Sequence, residues 1–140
     1  MCSSDLLKDH LARIAHADLF LDTRPVNAHT TASDALWAGV PVLTCPGKSF
    51  VARVAASLNH AIGLDEMTAA TLSEYEALAL KLTREPAALA AIRAKLARNR
   101  LTYPLFDTPR LARHIETAYR AMWMRHERGE APQGFSVNDV

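Results

Sequence analysis

The chain has 140 residues, enough for one domain with a buried core. Hydrophobic residues make up 49% and charged residues 22%, the balance of an ordinary globular protein. With 16 basic and 15 acidic residues the formal net charge is +1, so no global field recruits nucleic acid or an anionic membrane surface. Two cysteines, Cys2 and Cys45, make neither a disulfide framework nor a thiolate metal site, which fits a reducing compartment. The opening "MCSSDLLKDH" lacks the basic segment and apolar run of a signal peptide, and no stretch of about 18 apolar residues offers a membrane span. The expectation is a cytoplasmic protein.

Taken in chain order, "ADLFLD" (17–22) is a short apolar run ending in Asp22-Thr23, suited to a buried strand. A loop containing Pro25 leads to a helix from about Ala32 to Ala38, stopped by Gly39 and Pro41. "PVLT" (41–44) reads as a second buried strand, "CPGKS" as a turn, and "FVARVAASLNHAI" (50–62) as a second helix ended by Gly63. Strand, helix, strand, helix at this spacing argues for a parallel sheet with crossover helices.

From Thr71 onward the pattern is helical. Leu72, Tyr75, Leu78 and Leu82 share one face; Leu89, Ile92 and Leu96 follow Pro86; Leu111, Ile115, Ala118 and Met122 form a third stripe. The cluster Arg93, Lys95, Arg98 and Arg100 reads as a solvated face, with too little aromatic interleaving for single-stranded nucleic acid. Trp37 and Trp123 read as packing residues on helices. The tail after Gly129 reads as irregular. Two strands do not make a stable parallel sheet, so strand counting predicts the C-terminal part of a larger sheet domain.

The chemistry concentrates in "NAHTTASDALWAGVPVLT" (27–44). Thr31 as N-cap with Asp34 three residues on makes a capping-box-like pair, acidic where the helix dipole favours it. The same geometry admits a ligand. A helix N-terminus directly after a buried strand presents free N–H groups, and open α/β sheets bind ligands beyond the carboxyl ends of their strands. Two hydroxyls and an imidazole beside those amides suit a pyrophosphate, and an aspartate one turn in can accept from a ribose hydroxyl. Residues alone rank the cap first, and the two readings are compatible.

Other motifs fail on spacing. "PGKS" resembles the end of a phosphate-binding P-loop, but the first glycine of that motif would fall at Val42. No GxGxxG follows a strand, and no GxSxG surrounds a serine. His10, His16, His29, His60, His114 and His126 show no ligand spacing, so no metal site is expected.

Two longer stretches resemble a known family. "HLARIAHADLFLDTRPVNAHTTASDALWAGVPVLTCPGKSFVARVAASL" and "YPLFDTPRLARHIETAYRAMWMRHERGEAP" resemble the last catalytic segment of the O-linked N-acetylglucosamine transferases. These are UDP-sugar-using protein glycosyltransferases often fused to tetratricopeptide (TPR) repeats. The resemblance spans residues 8 to 137. It implies an α/β fold: a partial Rossmann-like half of a GT-B glycosyltransferase followed by C-terminal helices. Residues 8–128 would be an incomplete nucleotide-binding half with its closing helices, and 129–140 an irregular tail. Residues 1–7 depart from the family pattern and read as a foreign start, and Lys8 stands one position out of register with a family lysine.

By position, His29, Thr30 and Thr31 match the family's pyrophosphate contacts, Asp34 its ribose contact, and His10 and Arg13 its uridine contacts. The cap and the phosphate site then coincide. The resemblance implies transfer of N-acetylglucosamine from UDP-GlcNAc to Ser or Thr of acceptor proteins, without metal or other cofactor. Its catalytic residues, the other catalytic half and any repeats are expected upstream. A related UDP-glucose-dependent enzyme modifying asparagine, and a non-catalytic interaction module with a vestigial nucleotide pocket, are the alternatives. Neither nucleic acid nor membrane is an expected partner.

Overall fold

The computed structural model describes residues 6–137, so the expectation for the chain's first five residues and the last three of the tail lies outside the described residues. The described part falls into two compact units divided between Leu105 and Phe106.

In the first unit, β1 (Phe20–Leu21) and β2 (Val42–Leu43) pair in parallel, Phe20 opposite Val42 and Leu21 opposite Leu43. The Phe20 amide donates to the Pro41 carbonyl at 2.9 Å and the Asp22 amide to the Leu43 carbonyl at 2.9 Å. The strands are shorter than the apolar runs that announce them. A third extended segment escaped sequence reading. Thr44 bridges Thr68 in parallel, the Thr44 amide donating to Met67 and the Ala69 amide to Thr44. No apolar run marks this segment, because Met67, Thr68 and Ala69 are too few to show a period.

Between the strands runs α2 (Thr30–Trp37), preceded in the chain by α1 (Leu7–Ile14). Helix α2 buries Ala32, Ala35 and Leu36, the i, i+3, i+4 stripe of a helix with one face in a core. It ends in a Schellman motif: Val40 N–H donates to Ala35 at 2.8 Å and Gly39 N–H to Leu36 at 3.2 Å, with Gly39 at φ 86°. The run 50–62, expected as one helix, divides into a 3-10 turn (Phe50–Ala52) and α3 (Val54–Ala61). The break falls at Arg53, whose φ of −130° is not helical.

Helix α3 ends the same way as α2, with Leu64 N–H on Asn59, Gly63 N–H on His60, and Gly63 at φ 69°. A Cβ on Gly63 would overlap the Tyr103 ring and lie 2.9 Å from Asn99 Nδ2, which itself donates to the Ile62 carbonyl at 2.8 Å. Gly63→Ala is therefore expected to cost at least the roughly 1–2 kcal/mol of a left-handed residue with a side chain. Equilibrium denaturation should register that loss without a change in secondary structure. Between α3 and the sheet, the buried Asn59 side chain donates to the carbonyls of Val42 (2.9 Å) and Met67 (3.3 Å).

Helix α4 (Leu72–Arg84) begins with a side-chain cap at Thr71 that resembles a capping box. Thr71 Oγ1 accepts from Glu74 N–H at 3.1 Å, and Glu74 Oε2 accepts from Ala70 N–H at 2.9 Å. Helix α5 (Pro86–Asn99) contributes Leu96 to the core. The basic cluster on and just after α5 is not a simple solvated face. Arg93 Nη1 donates to the Ala17 carbonyl at 3.0 Å, Lys95 Nζ to Glu66 Oε1 at 2.7 Å, and Arg100 Nη1 to the Trp37 carbonyl. The Arg100 guanidinium also lies over the Trp37 ring, 5.6 Å from its centre. Trp37 itself is exposed, so it holds a cation rather than filling the core.

In the second unit, α6 (Thr108–Glu127) is capped by Asp107, whose Oδ1 accepts from Arg110 N–H at 2.9 Å. None of its residues is buried, and Leu111, Ile115 and Met122 of the expected stripe remain exposed, as does Trp123. Arg125 Nε donates to the Ala131 carbonyl at 2.6 Å and Arg125 Nη2 to Gln133 Oε1 at 2.9 Å, folding the irregular tail onto the helix. No helix among the described residues is long and apolar enough to cross a membrane.

Candidate functional site

The loop from β1 to α2 is held from below by one buried carboxylate. Asp22 Oδ1 accepts from the Thr23 amide (2.9 Å) and the Ala28 amide (2.7 Å), and Oδ2 accepts from Thr44 Oγ1 at 2.6 Å. Within the loop, Thr23 Oγ1 donates to the Val26 carbonyl at 3.1 Å and Asn27 Nδ2 to the Thr23 carbonyl at 3.0 Å. Asn27 N–H donates to the Val51 carbonyl at 2.9 Å. The loop thus delivers His29 at a fixed place, the N-cap of α2.

At that place the expected capping box is absent. Thr30 and Thr31 are the first two helical residues, and the side chain of the N-cap, His29, makes no capping bond to α2. Thr31 is therefore not the N-cap, and Asp34 lies beyond the reach of a first-turn acid. The physical reason is the loop: with the Ala28 amide pinned to Asp22, the helix begins at Thr30, two residues earlier than the Thr-x-x-Asp spacing suggests. The first amide bonded within the helix is that of Ser33, to the His29 carbonyl at 3.1 Å. The amides of Thr30, Thr31 and Ala32 belong to the set a helix leaves without intrahelical partners. With the exposed Thr30 and Thr31 side chains beside them, they form a positive, donor-rich end suited to an anion. The His29 ring stands by this end, its Nε2 3.4 Å from the Val51 carbonyl and its plane edge-on to Phe50 at 6.2 Å.

One turn along, α1 meets α2. His10 Nε2 lies 3.3 Å from Asp34 Oδ2, and Arg13 Nη2 lies 3.4 Å from His10 Nδ1. A guanidinium can only donate, so in a hydrogen bond at this contact His10 Nδ1 is the acceptor. The six residues singled out in the sequence thus fall into two neighbouring groups. His29, Thr30 and Thr31 occupy the helix end, while His10, Arg13 and Asp34 form a chain one turn further in. Among the described residues no group of three His, Cys, Asp or Glu side chains could hold a metal ion.

Sequence reading missed the residues beneath the site: Asp22, Thr44, Asn27 and Tyr75. The available signal was an acid closing an apolar strand, one residue before a turn. Tyr75 OH donates to the Asp22 carbonyl at 2.9 Å. Its pKa is raised above the ordinary 10.0, first by desolvation, then by the negative fields of Asp22 and Cys45. A raised tyrosine pKa means the fold favours the neutral phenol. That contribution is complete below about pH 10 and fades as pH climbs through the folded value. The stability difference between the parent and Tyr75→Phe, measured by denaturation, should accordingly be constant at neutral pH and shrink above pH 10.

The family model for glycosyl transferase family 41 matches residues 4–115. The chain belongs to this family, that of the O-GlcNAc transferases. It is 44% identical over 135 residues to a probable UDP-N-acetylglucosamine–peptide N-acetylglucosaminyltransferase of Arabidopsis thaliana, a match covering 94% of this chain and 14% of that protein. A UDP-N-acetylglucosamine–peptide N-acetylglucosaminyltransferase of Caenorhabditis elegans is 38% identical over 122 residues, 87% of this chain and 11% of the relative. The chain therefore spans less than a sixth of the length of either relative. Among solved structures, a mutant O-GlcNAc transferase of Thermobaculum terrenum superposes with a TM-score of 0.76 at 38% identity, over 82% of this chain and 22% of the other. The small parallel sheet with its helices matches part of that fold, as the α/β GT-B reading of the sequence expected.

Proposed function

We propose that this chain supplies the nucleotide-binding part of a protein O-GlcNAc transferase and holds UDP-GlcNAc at the N-terminus of α2. In this reading His29, Thr30, Thr31 and the adjoining amides bind the pyrophosphate, Asp34 a ribose hydroxyl, and His10 and Arg13 the uridine. Residues 8–128 form the nucleotide-binding half with its closing helices, and 129–140 a tail. The enzyme moves N-acetylglucosamine to Ser or Thr of an acceptor protein in the cytoplasm. It is completed by a second catalytic half and TPR repeats.

This segment's share of the chemistry is electrostatic. As the glycosidic bond breaks, negative charge gathers on the UDP phosphates. Fixed N–H dipoles, two hydroxyls and an imidazole stabilise it with no reorganisation at the moment of reaction. No metal or cofactor enters this account, and the groups that handle the acceptor's proton are assigned to no residue of this chain. One observation carries the reading: an uncapped helix end bearing His29, Thr30 and Thr31 stands beside the His10–Asp34 pair in a family 41 chain.

Calorimetry with UDP-GlcNAc, UDP-glucose, UDP and uridine tests it. UDP should bind more tightly than uridine, and UDP-GlcNAc more tightly than UDP-glucose. Preference for UDP-glucose would favour the asparagine-modifying enzyme, and no nucleotide binding at all would favour the interaction module. A variant sharpens the ribose assignment. Asp34→Asn should weaken UDP by roughly 1–3 kcal/mol, the range for losing a hydrogen bond to a charged group. Unchanged UDP affinity with a lowered melting temperature would reduce Asp34 to the partner of His10.

A further inference from the structure

Every polar group of Asp22 is engaged, and among the described residues none of its hydrogen-bond partners is a cation. Its amide joins the ladder through Leu43, and its carbonyl receives the Tyr75 hydroxyl. Its carboxylate receives Thr23 N–H, Ala28 N–H and Thr44 Oγ1–H. The residue is only 7% exposed. These bonds converge from both strand ends, from α4, and from the residue immediately before His29.

We infer that Asp22 is the positioning residue of the α2 anion site, setting through the Ala28 amide where the His29–Thr30–Thr31 end of the helix stands. The inference rests on the phosphate-binding reading for its functional consequence, though not for its geometry. A buried acceptor left without donors, or donors without an acceptor, is costly, so the carboxylate and its three donors hold one another in a single arrangement. The Ala28 bond, at 2.7 Å, fixes the backbone one residue ahead of the helix start. Asn27 N–H on Val51 and Asn27 Nδ2 on Thr23 make the loop a closed ring of bonds around that point. Freed from Asp22, Ala28 has no reason to stop the chain there, and the sequence offers the competing Thr31–Asp34 cap. That alternative start would turn the Thr31 hydroxyl inward onto the helix amides and withdraw those amides from a ligand.

The role requires acceptor geometry, not charge. In Asp22→Asn the amide oxygen can still accept from Thr23 and Ala28. The amide nitrogen then donates to Thr44 Oγ1, since a hydroxyl both donates and accepts. In Asp22→Ala all three donors lose their acceptor.

The test combines backbone amide hydrogen exchange at Ala28 with titrations of UDP and of uridine, on the full chain carrying either variant. Asp22→Ala should speed Ala28 exchange at least tenfold and weaken UDP about tenfold, with uridine binding changed less than twofold. Asp22→Asn should stay within about threefold of the parent in all three readouts. Unchanged Ala28 exchange in a folded Asp22→Ala protein would overturn the inference, and so would loss of UDP and uridine in equal measure. If Asp22→Ala does not fold, Asp22→Asn decides: Ala28 protection retained supports the inference, and Ala28 protection lost in a folded protein overturns it. Should the parent bind no UDP, the phosphate reading fails, while the exchange data still decide whether Asp22 sets the helix start.

Discussion

His29→Ala is expected to weaken UDP binding by about tenfold or more while leaving uridine binding nearly unchanged. Helix α2 does not need this side chain. His29 occupies the N-cap of α2, yet its side chain makes no capping bond, so its loss leaves the helix end as it was. Its ring lies 3.4 Å from the Val51 carbonyl and edge-on to Phe50. Both contacts are partly exposed, and stability should change by no more than about 0.5 kcal/mol. Against a diphosphate the balance reverses. A hydrogen bond to a charged group contributes roughly 1.5–3 kcal/mol, which is about tenfold to over a hundredfold in affinity. Uridine has no phosphates and cannot sense that loss. Parallel titrations of the two ligands against parent and variant read the difference directly. Equal losses would mean a collapsed loop, and no loss at all would remove His29 from the site.

Leu36→Ala should produce the largest stability loss, about 2–5 kcal/mol, the range for truncating a buried leucine. Leu36 is fully buried. It lies on the inner face of α2 with Ala32 and Ala35, whose side chains are too small to move into the space it leaves. Its carbonyl also receives the Gly39 amide in the turn that leads to β2. The cavity would therefore open beneath the helix that carries the site. Chemical denaturation should show a lowered midpoint with an unchanged slope. A loss below about 1 kcal/mol would mean that α2 is not seated on the core as described.

The parts of this fold legible in the sequence are those where a local pattern and the tertiary structure agree. The two apolar runs become parallel strands, and Gly39 and Gly63 end helices because only glycine is at ease with the positive φ those ends require. His10 and Asp34 are 24 residues apart in numbering, and nothing in their local sequence pairs them. In the fold the two side chains come within 3.3 Å of each other. The errors arise where a distant bond overrides a local signal. Thr31 and Asp34 have the spacing of a cap, but Asp22 holds Ala28 and the helix starts early. Arg93, Lys95 and Arg100 have the spacing of a solvated face, but each finds a partner at least 29 residues away. Thr44 and Thr68 form a bridge that no periodicity of three residues could announce.

The central claim is that a nucleoside diphosphate sits at the N-terminus of α2, and amide chemical-shift mapping during a UDP titration of the full chain tests it most directly. The largest shifts should fall on the backbone amides of Thr30, Thr31 and Ala32, with smaller ones at His10 and Asp34. Uridine should move the second set and leave the first nearly still. Shifts confined to other elements, or identical patterns for UDP and uridine, would contradict the claim.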